Sequence, residues 1–150
     1  MHIIYYGFGL CIGLAIATQS AINNQLKIVL GGSTLLAALV SFVVGSVCLV
    51  GLCLFSGQRF VVLNQLQNAD WWMMLGGVLG AFFVFGTTLL APRLGVTTMI
   101  SLIIFGQVAM SLILDKFGFL GLDTRDISVT RLAGVAFILV GTLCISLDNR

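Results

Sequence analysis

The chain has 150 residues, of which only 8% are charged and 59% are hydrophobic, and its formal net charge is +2. Soluble domains carry about 25% charged residues, so this composition excludes an ordinary soluble fold. The few charges are also too scattered for a nucleic-acid-binding surface.

Five apolar runs, at about residues 3–23, 33–55, 71–91, 97–114 and 132–147, contain no formal charge. A helix needs about 20 apolar residues to cross a bilayer; four runs meet that and one is slightly short. The pattern predicts an all-α integral membrane protein, a single domain over residues 1–150 with five transmembrane helices. No catalytic constellation stands out, and the chain is not expected to be an enzyme.

Span one opens with Tyr5 and Tyr6 and has no Lys or Arg before its apolar stretch, which is too long for a signal peptide. It reads as a retained first span. Span three opens with Trp71 and Trp72. Aromatic rings with polar tips favour the headgroup level. With five spans, both pairs fall on the side where span one starts, here the near side, and form one belt.

Small residues recur along the spans. Gly9, Gly13, Ala17, Ser20 and Asn24 of span one fall within an arc of about 80° at 100° per residue. Ala37, Ser41 and Gly45 mark span two, Gly76 and Gly80 span three, and Gly134 and Gly141 span five. Such stripes let neighbouring helices approach closely. Cys11, Cys48, Cys53 and Cys144 lie inside spans without CxxC spacing or a nearby His. They read as small apolar side chains, with no metal, cofactor or disulfide role. His2 is an end residue rather than a ligand.

Between the spans, residues 25–32 form a short connection holding Lys27, and Gly31-Gly32-Ser33 marks a helix start with Ser33 or Thr34 as its cap. Phe60, Leu63 and Leu66 recur three apart in the next loop, a pattern for a short interfacial helix. Pro92-Arg93-Leu94-Gly95 is expected to break spans three and four with a tight turn. In the loop 115–131, Phe117, Phe119, Leu120 and Leu122 alternate with Gly118 and Gly121, so part of it should lie in the interface.

Polar groups inside the spans are few. Gln19 and Asn23 are four apart on span one; Gln107 is near the middle of span four, with Ser111 one turn later. An amide left unpaired in hydrocarbon costs several kcal/mol. These groups must bond another helix, worth about 0.6–2 kcal/mol each, or line a wet substrate path. The chain has no Glu, and its Asp residues avoid the span interiors. Asp115 ends span four and is placed to act as an edge gate or as an ion pair with Arg131.

The near side receives Arg59, Lys116, Arg125 and Arg131; the far side receives Lys27, Arg93 and Arg150. Orientation normally follows an excess of Lys and Arg on the cytoplasmic side. A split of four to three is a weak instruction, so both orientations are expected, and opposite copies can pair.

Five stretches carry a family resemblance: Ala17-Thr-Gln-Ser-Ala-Ile-Asn23; Leu36-Ala-Ala-Leu-Val-Ser-Phe42 with Gly45; Trp71-Trp72 followed by Gly76-Gly77 and Gly80-Ala81; Pro92-Arg-Leu-Gly95; and Gly106-Gln-Val-Ala-Met-Ser111 running on to Asp115-Lys-Phe-Gly118. Across nearly its whole length the chain resembles the five-helix YdcZ-like branch of the drug/metabolite transporter superfamily. The resemblance implies a bacterial inner-membrane protein that is half of a ten-helix inverted repeat. It implies pairing as an antiparallel homodimer or with a homologous partner chain, and it maps Gln19, Asn23, Gln107 and Ser111 onto the family's polar positions. Members often carry His where this chain has Lys116, so no proton-handling role is carried over to that position. The four-helix multidrug exporters of the superfamily use a Glu in span one, which this chain lacks, so their proton–drug antiport is not carried over either.

The expectation is a secondary transporter, an exporter of small polar or amphipathic molecules, built as an antiparallel dimer with a site at Gln19, Asn23, Gln107 and Ser111. Two alternatives remain. One is an accessory subunit active only with a different partner chain. The other is a narrow passive channel lined by residues 76–85, which would far exceed a carrier in flux.

Overall fold

The structure, a computed structural model, describes residues 2–148. Five long helices follow in order: α1 (His2–Val29), α2 (Thr34–Phe55), α3 (Leu75–Leu94), α4 (Val96–Phe117) and α5 (Val129–Asp148). No strand occurs among the described residues. All five are long and apolar enough to cross a membrane. Even α3 and α5, with 20 residues each, reach about 30 Å, the thickness of the hydrocarbon layer. Arg150, counted above on the far side, and the amine of Met1 lie outside the described residues.

The helices group into two compact units, Met1–Pro92 and Arg93–Arg150. In the first, α1 packs on α2, and α3 lies beside α2: a Cβ on Gly80 would stand 3.4 Å from the Phe42 ring. Of the small residues on span three, Gly80 therefore meets the Phe42 ring in ordinary contact, whereas Gly76 has open space beside it. In the second unit α5 packs along α4.

The helices extend past the charge-free runs. Lys27 is in the last turn of α1, not in a connection. Its long stem lets the ammonium reach the headgroups, and a cation suits the carbonyl end of a helix. The reversal follows at Gly31 and Gly32, with φ of 69° and 85°. Ser33 then caps α2, its Oγ accepting from the Leu36 amide at 3.2 Å. The aromatic–aliphatic pattern after Arg59 forms a 3-10 helix, Phe60–Asn68. A second 3-10 turn, Trp71–Met74, leads into α3, with Trp72 Nε1 donating to Asp70 Oδ2 at 3.2 Å.

One expectation fails at Pro92, which does not break the span: it lies inside α3, which continues to Leu94. So close to the helix end its missing N–H forgoes a single bond, to the Thr88 carbonyl, and its fixed φ is a helical one. The turn belongs to Gly95, with φ 75° and ψ 151°, a conformation essentially restricted to glycine. At the other end of α4, Gly118 takes a left-handed φ of 60°, and its amide donates to the Leu114 carbonyl. A Cβ there would sit 2.8 Å from Thr124 Cγ2 and 2.9 Å from the Leu122 carbonyl oxygen. The loop folds back so that the Arg125 amide donates to the Asp115 carbonyl at 2.7 Å.

Burial runs opposite to that of a soluble protein. The buried apolar residues are Ala37, Ala38, Val84, Ala91 and Met99; the buried polar ones are Ser20, Asn23, Thr34, Thr87, Thr88, Thr98 and Thr142. Large apolar side chains such as Phe8, Leu35, Phe82 and Phe137 are exposed, as lipid contact requires. Hydrocarbon gives helices no hydrophobic reason to associate, so contacts fall to small and hydrogen-bonding residues. Many hydroxyls bond a carbonyl of their own helix: Thr18 to Leu14, Thr87 and Thr88 to Val84, Ser101 to Thr98 and Ser111 to Val108. That satisfies them where water is absent.

Candidate functional site

The first unit holds a polar pair at depth. Asn23, only 3% exposed, accepts a short hydrogen bond at Oδ1 from Ser41 Oγ, which ties α1 to α2. At 1.5 Å per residue the pair lies about 10 Å in from the far-side helix ends. The Asn23 Nδ2 is buried and has no hydrogen-bond partner among the described residues. Toward the near side, an open groove of about 180 Å³ is lined by Gln19, Ser41, Ser46, Phe42, Leu49 and Val84, among others. Its walls are mostly apolar, and Gln19 and Ser41 supply amide and hydroxyl groups. Asn23 adjoins this groove through Ser41 without lining it.

The second unit has two ties between α4 and α5. Thr142 Oγ1 donates to the Ser101 carbonyl at 3.2 Å, toward the far side. At the near-side edge, Arg131 Nη1 meets Asp115 Oδ2 at 3.4 Å. The pair stands at a groove of about 270 Å³ that also includes Ser111. Ser111 Oγ donates to the Val108 carbonyl at 2.8 Å, which leaves its lone pairs to accept. Gln107 is exposed in the middle of α4 and lines neither groove.

The predicted site residues thus fall in three places: Gln19 and Asn23 around Ser41, Ser111 with Asp115 and Arg131, and Gln107 by itself. In the sequence Ser41 stands out only as part of a packing stripe. Its place between Ala37 and Gly45 marks a close helix approach, and a hydroxyl at such a point is the signal for an interhelical bond. Among the described residues no group of three or more His, Cys, Asp or Glu stands close enough to hold a metal ion.

The family described as "Putative inner membrane exporter, YdcZ" matches residues 4–144. The chain belongs to this family. It is 27% identical over 135 residues to the inner membrane protein YdcZ of Escherichia coli (strain K12), covering 89% of each chain. No solved structure matches. With five membrane-length helices, the chain is a multi-pass protein of the inner membrane. The description of its family is that of a putative exporter.

Proposed function

We propose that the chain is a secondary transporter that exports small polar or amphipathic molecules as an antiparallel, dual-topology homodimer. The observation that carries this reading is the buried, unpartnered Asn23 Nδ2 beside an open, largely apolar groove. A donor held dry without a partner is costly, and a substrate that reaches past Ser41 from the groove would complete it. Gln19, Asn23, Gln107 and Ser111 bind the polar part of the substrate, and Phe42, Leu49 and Val84 receive its apolar part. One chain supplies half of an inverted repeat; a second copy, inserted the opposite way, completes a midplane cavity that opens alternately to each side. The even spread of Lys and Arg suits such a pair. Asp115 and Arg131 hold the near-side ends of α4 and α5 together, where an edge gate would act. With no carboxylate at depth, a buried-Glu proton switch is not the coupling device.

The test has two arms. A cysteine added after Arg150 in a cysteine-free background is expected to react from both faces of the membrane; reaction from one face only removes dual topology. A thermal-shift screen of metabolites and cationic amphiphiles identifies a substrate, and Gln107→Leu is expected to abolish its efflux while cross-linked dimer persists. Unchanged efflux removes the site assignment, and dimerisation only with a homologous chain replaces the homodimer.

A further inference from the structure

The groove between the near-side ends of α4 and α5 has a chemistry of its own. Its mouth holds one anion and one cation, Asp115 and Arg131, whose side chains are 35% and 39% exposed. They touch through a single contact of 3.4 Å. That is long for a charge-assisted hydrogen bond, which usually spans 2.7–2.9 Å, and it leaves most of the guanidinium donors and the second carboxylate oxygen available. Each charge is also positioned by its own helix. Asp115 rides on the last turns of α4, whose end the Arg125 amide clamps through the Asp115 carbonyl. Arg131 rides on the first turn of α5, fixed by Ser128, whose Oγ accepts from the Arg131 amide at 3.2 Å. A carboxylate at a helix C-terminus and a guanidinium at a helix N-terminus each add to the local pole instead of cancelling it. The mouth therefore presents a negative and a positive pole side by side.

The rest of the groove runs toward the membrane interior. Val108 and Leu112 line it from α4, Val135 and Ile138 from α5, with Gly134 leaving the wall open. Nearby Phe117 and Leu132 are exposed apolar residues of the lipid-facing surface. A free zwitterion would satisfy the poles and leave this apolar floor empty. A molecule with a zwitterionic head and a hydrocarbon tail satisfies both.

We infer that this groove is a binding site for a zwitterionic phospholipid whose headgroup carries a primary ammonium. Its phosphate is held by Arg131 and its ammonium by Asp115, and the start of its acyl region lies on Val108, Leu112, Val135 and Ile138. The groove shares Ser111 and the Asp115–Arg131 pair with the transport reading, but lipid retention is read without any exported substrate, so the two readings fail separately.

The experiment uses the full-length protein, stripped of lipid in detergent and offered equal amounts of phosphatidylethanolamine, phosphatidylcholine and phosphatidylglycerol, with bound lipid counted by native mass spectrometry. Phosphatidylethanolamine is expected to be retained about tenfold over phosphatidylglycerol, the factor one charge-assisted hydrogen bond supplies. Phosphatidylcholine is expected to fall below it, because its nitrogen has no proton to donate. Asp115→Asn should erase the preference for phosphatidylethanolamine and spare phosphatidylglycerol binding; Arg131→Gln should weaken both. Equal retention of the three lipids by the unaltered chain, or a preference for phosphatidylglycerol, overturns the inference without reliance on any variant. So does an Asp115→Asn protein that keeps the preference.

Discussion

Replacing Asn23 by leucine should raise stability and stop transport. Asn23 is buried, its Oδ1 accepts from Ser41 Oγ, and its Nδ2 has no partner among the described residues. An unsatisfied buried donor costs about 1–3 kcal/mol. The bond to Ser41 that leucine would forfeit is worth about 0.6–1.7 kcal/mol inside a membrane. The freed Ser41 hydroxyl can turn to a carbonyl of its own helix, as Ser101 and Ser111 do, so removing Asn23 leaves no new orphan. The two terms leave Asn23→Leu between about 0.7 kcal/mol less stable and about 2.4 kcal/mol more stable, centred on a gain of about 1 kcal/mol. Ser41→Ala has the opposite sign: it strands Oδ1 while Nδ2 stays unpaired, for a loss of about 1–3 kcal/mol. Reversible unfolding in bicelles measures both, alongside efflux of the substrate identified by thermal shift. Stability that holds or rises while efflux falls means that the dry donor is kept for a ligand. An Asn23→Leu protein that is clearly less stable yet transports normally would refute the reasoning, because Asn23 would then be an ordinary helix–helix contact.

Gly118→Ala should lose about 1–2 kcal/mol from the left-handed backbone alone, and more because its Cβ meets Thr124 and Leu122; a lower melting temperature in detergent checks it. Gly95→Ala should cost about 1–3 kcal/mol, since its backbone conformation belongs to glycine. Pro92→Ala, inside the same helix end, should change stability by less than Gly95→Ala when both are melted side by side. Thr142→Val, which removes the bond to the Ser101 carbonyl, should cost about 0.6 kcal/mol, the average for such bonds in a membrane. A loss no larger than that of a surface control would assign the α4–α5 contact to packing alone.

The five spans were legible because charge is excluded from hydrocarbon. Their ends were not, for the same reason. Charge-free runs mark where hydrocarbon stops, whereas backbone hydrogen bonding continues into the headgroup layer and carries Lys27 and Arg93 in last turns of helix. Pro92 misled because its effect depends on its distance from a helix end that those runs do not mark. The amides Gln19, Asn23 and Gln107 stood out as rare polar groups in an apolar stretch. Their partners did not, because the Ser41–Asn23 bond depends on how α1 and α2 cross and rotate, which the spacing within either helix leaves undetermined. Gln107 meets neither groove, and its spacing along span four did not distinguish that outcome from a groove-lining one.

The inverted burial has a consequence for how such a chain drifts over generations. In a soluble protein the bulky aliphatic interior is the slow part of the sequence and the surface the fast part. Here the bulky aliphatic residues meet fluid acyl chains, which take leucine, isoleucine, valine or phenylalanine with little discrimination. The constrained positions are the small and hydroxyl-bearing ones in the interior, Ala37, Ala38, Thr88 and Ser20 among them. Across distant relatives, substitutions should therefore accumulate among the large apolar residues, and a sparse scatter of alanines, threonines, serines and amides should persist as the lasting signature of the fold.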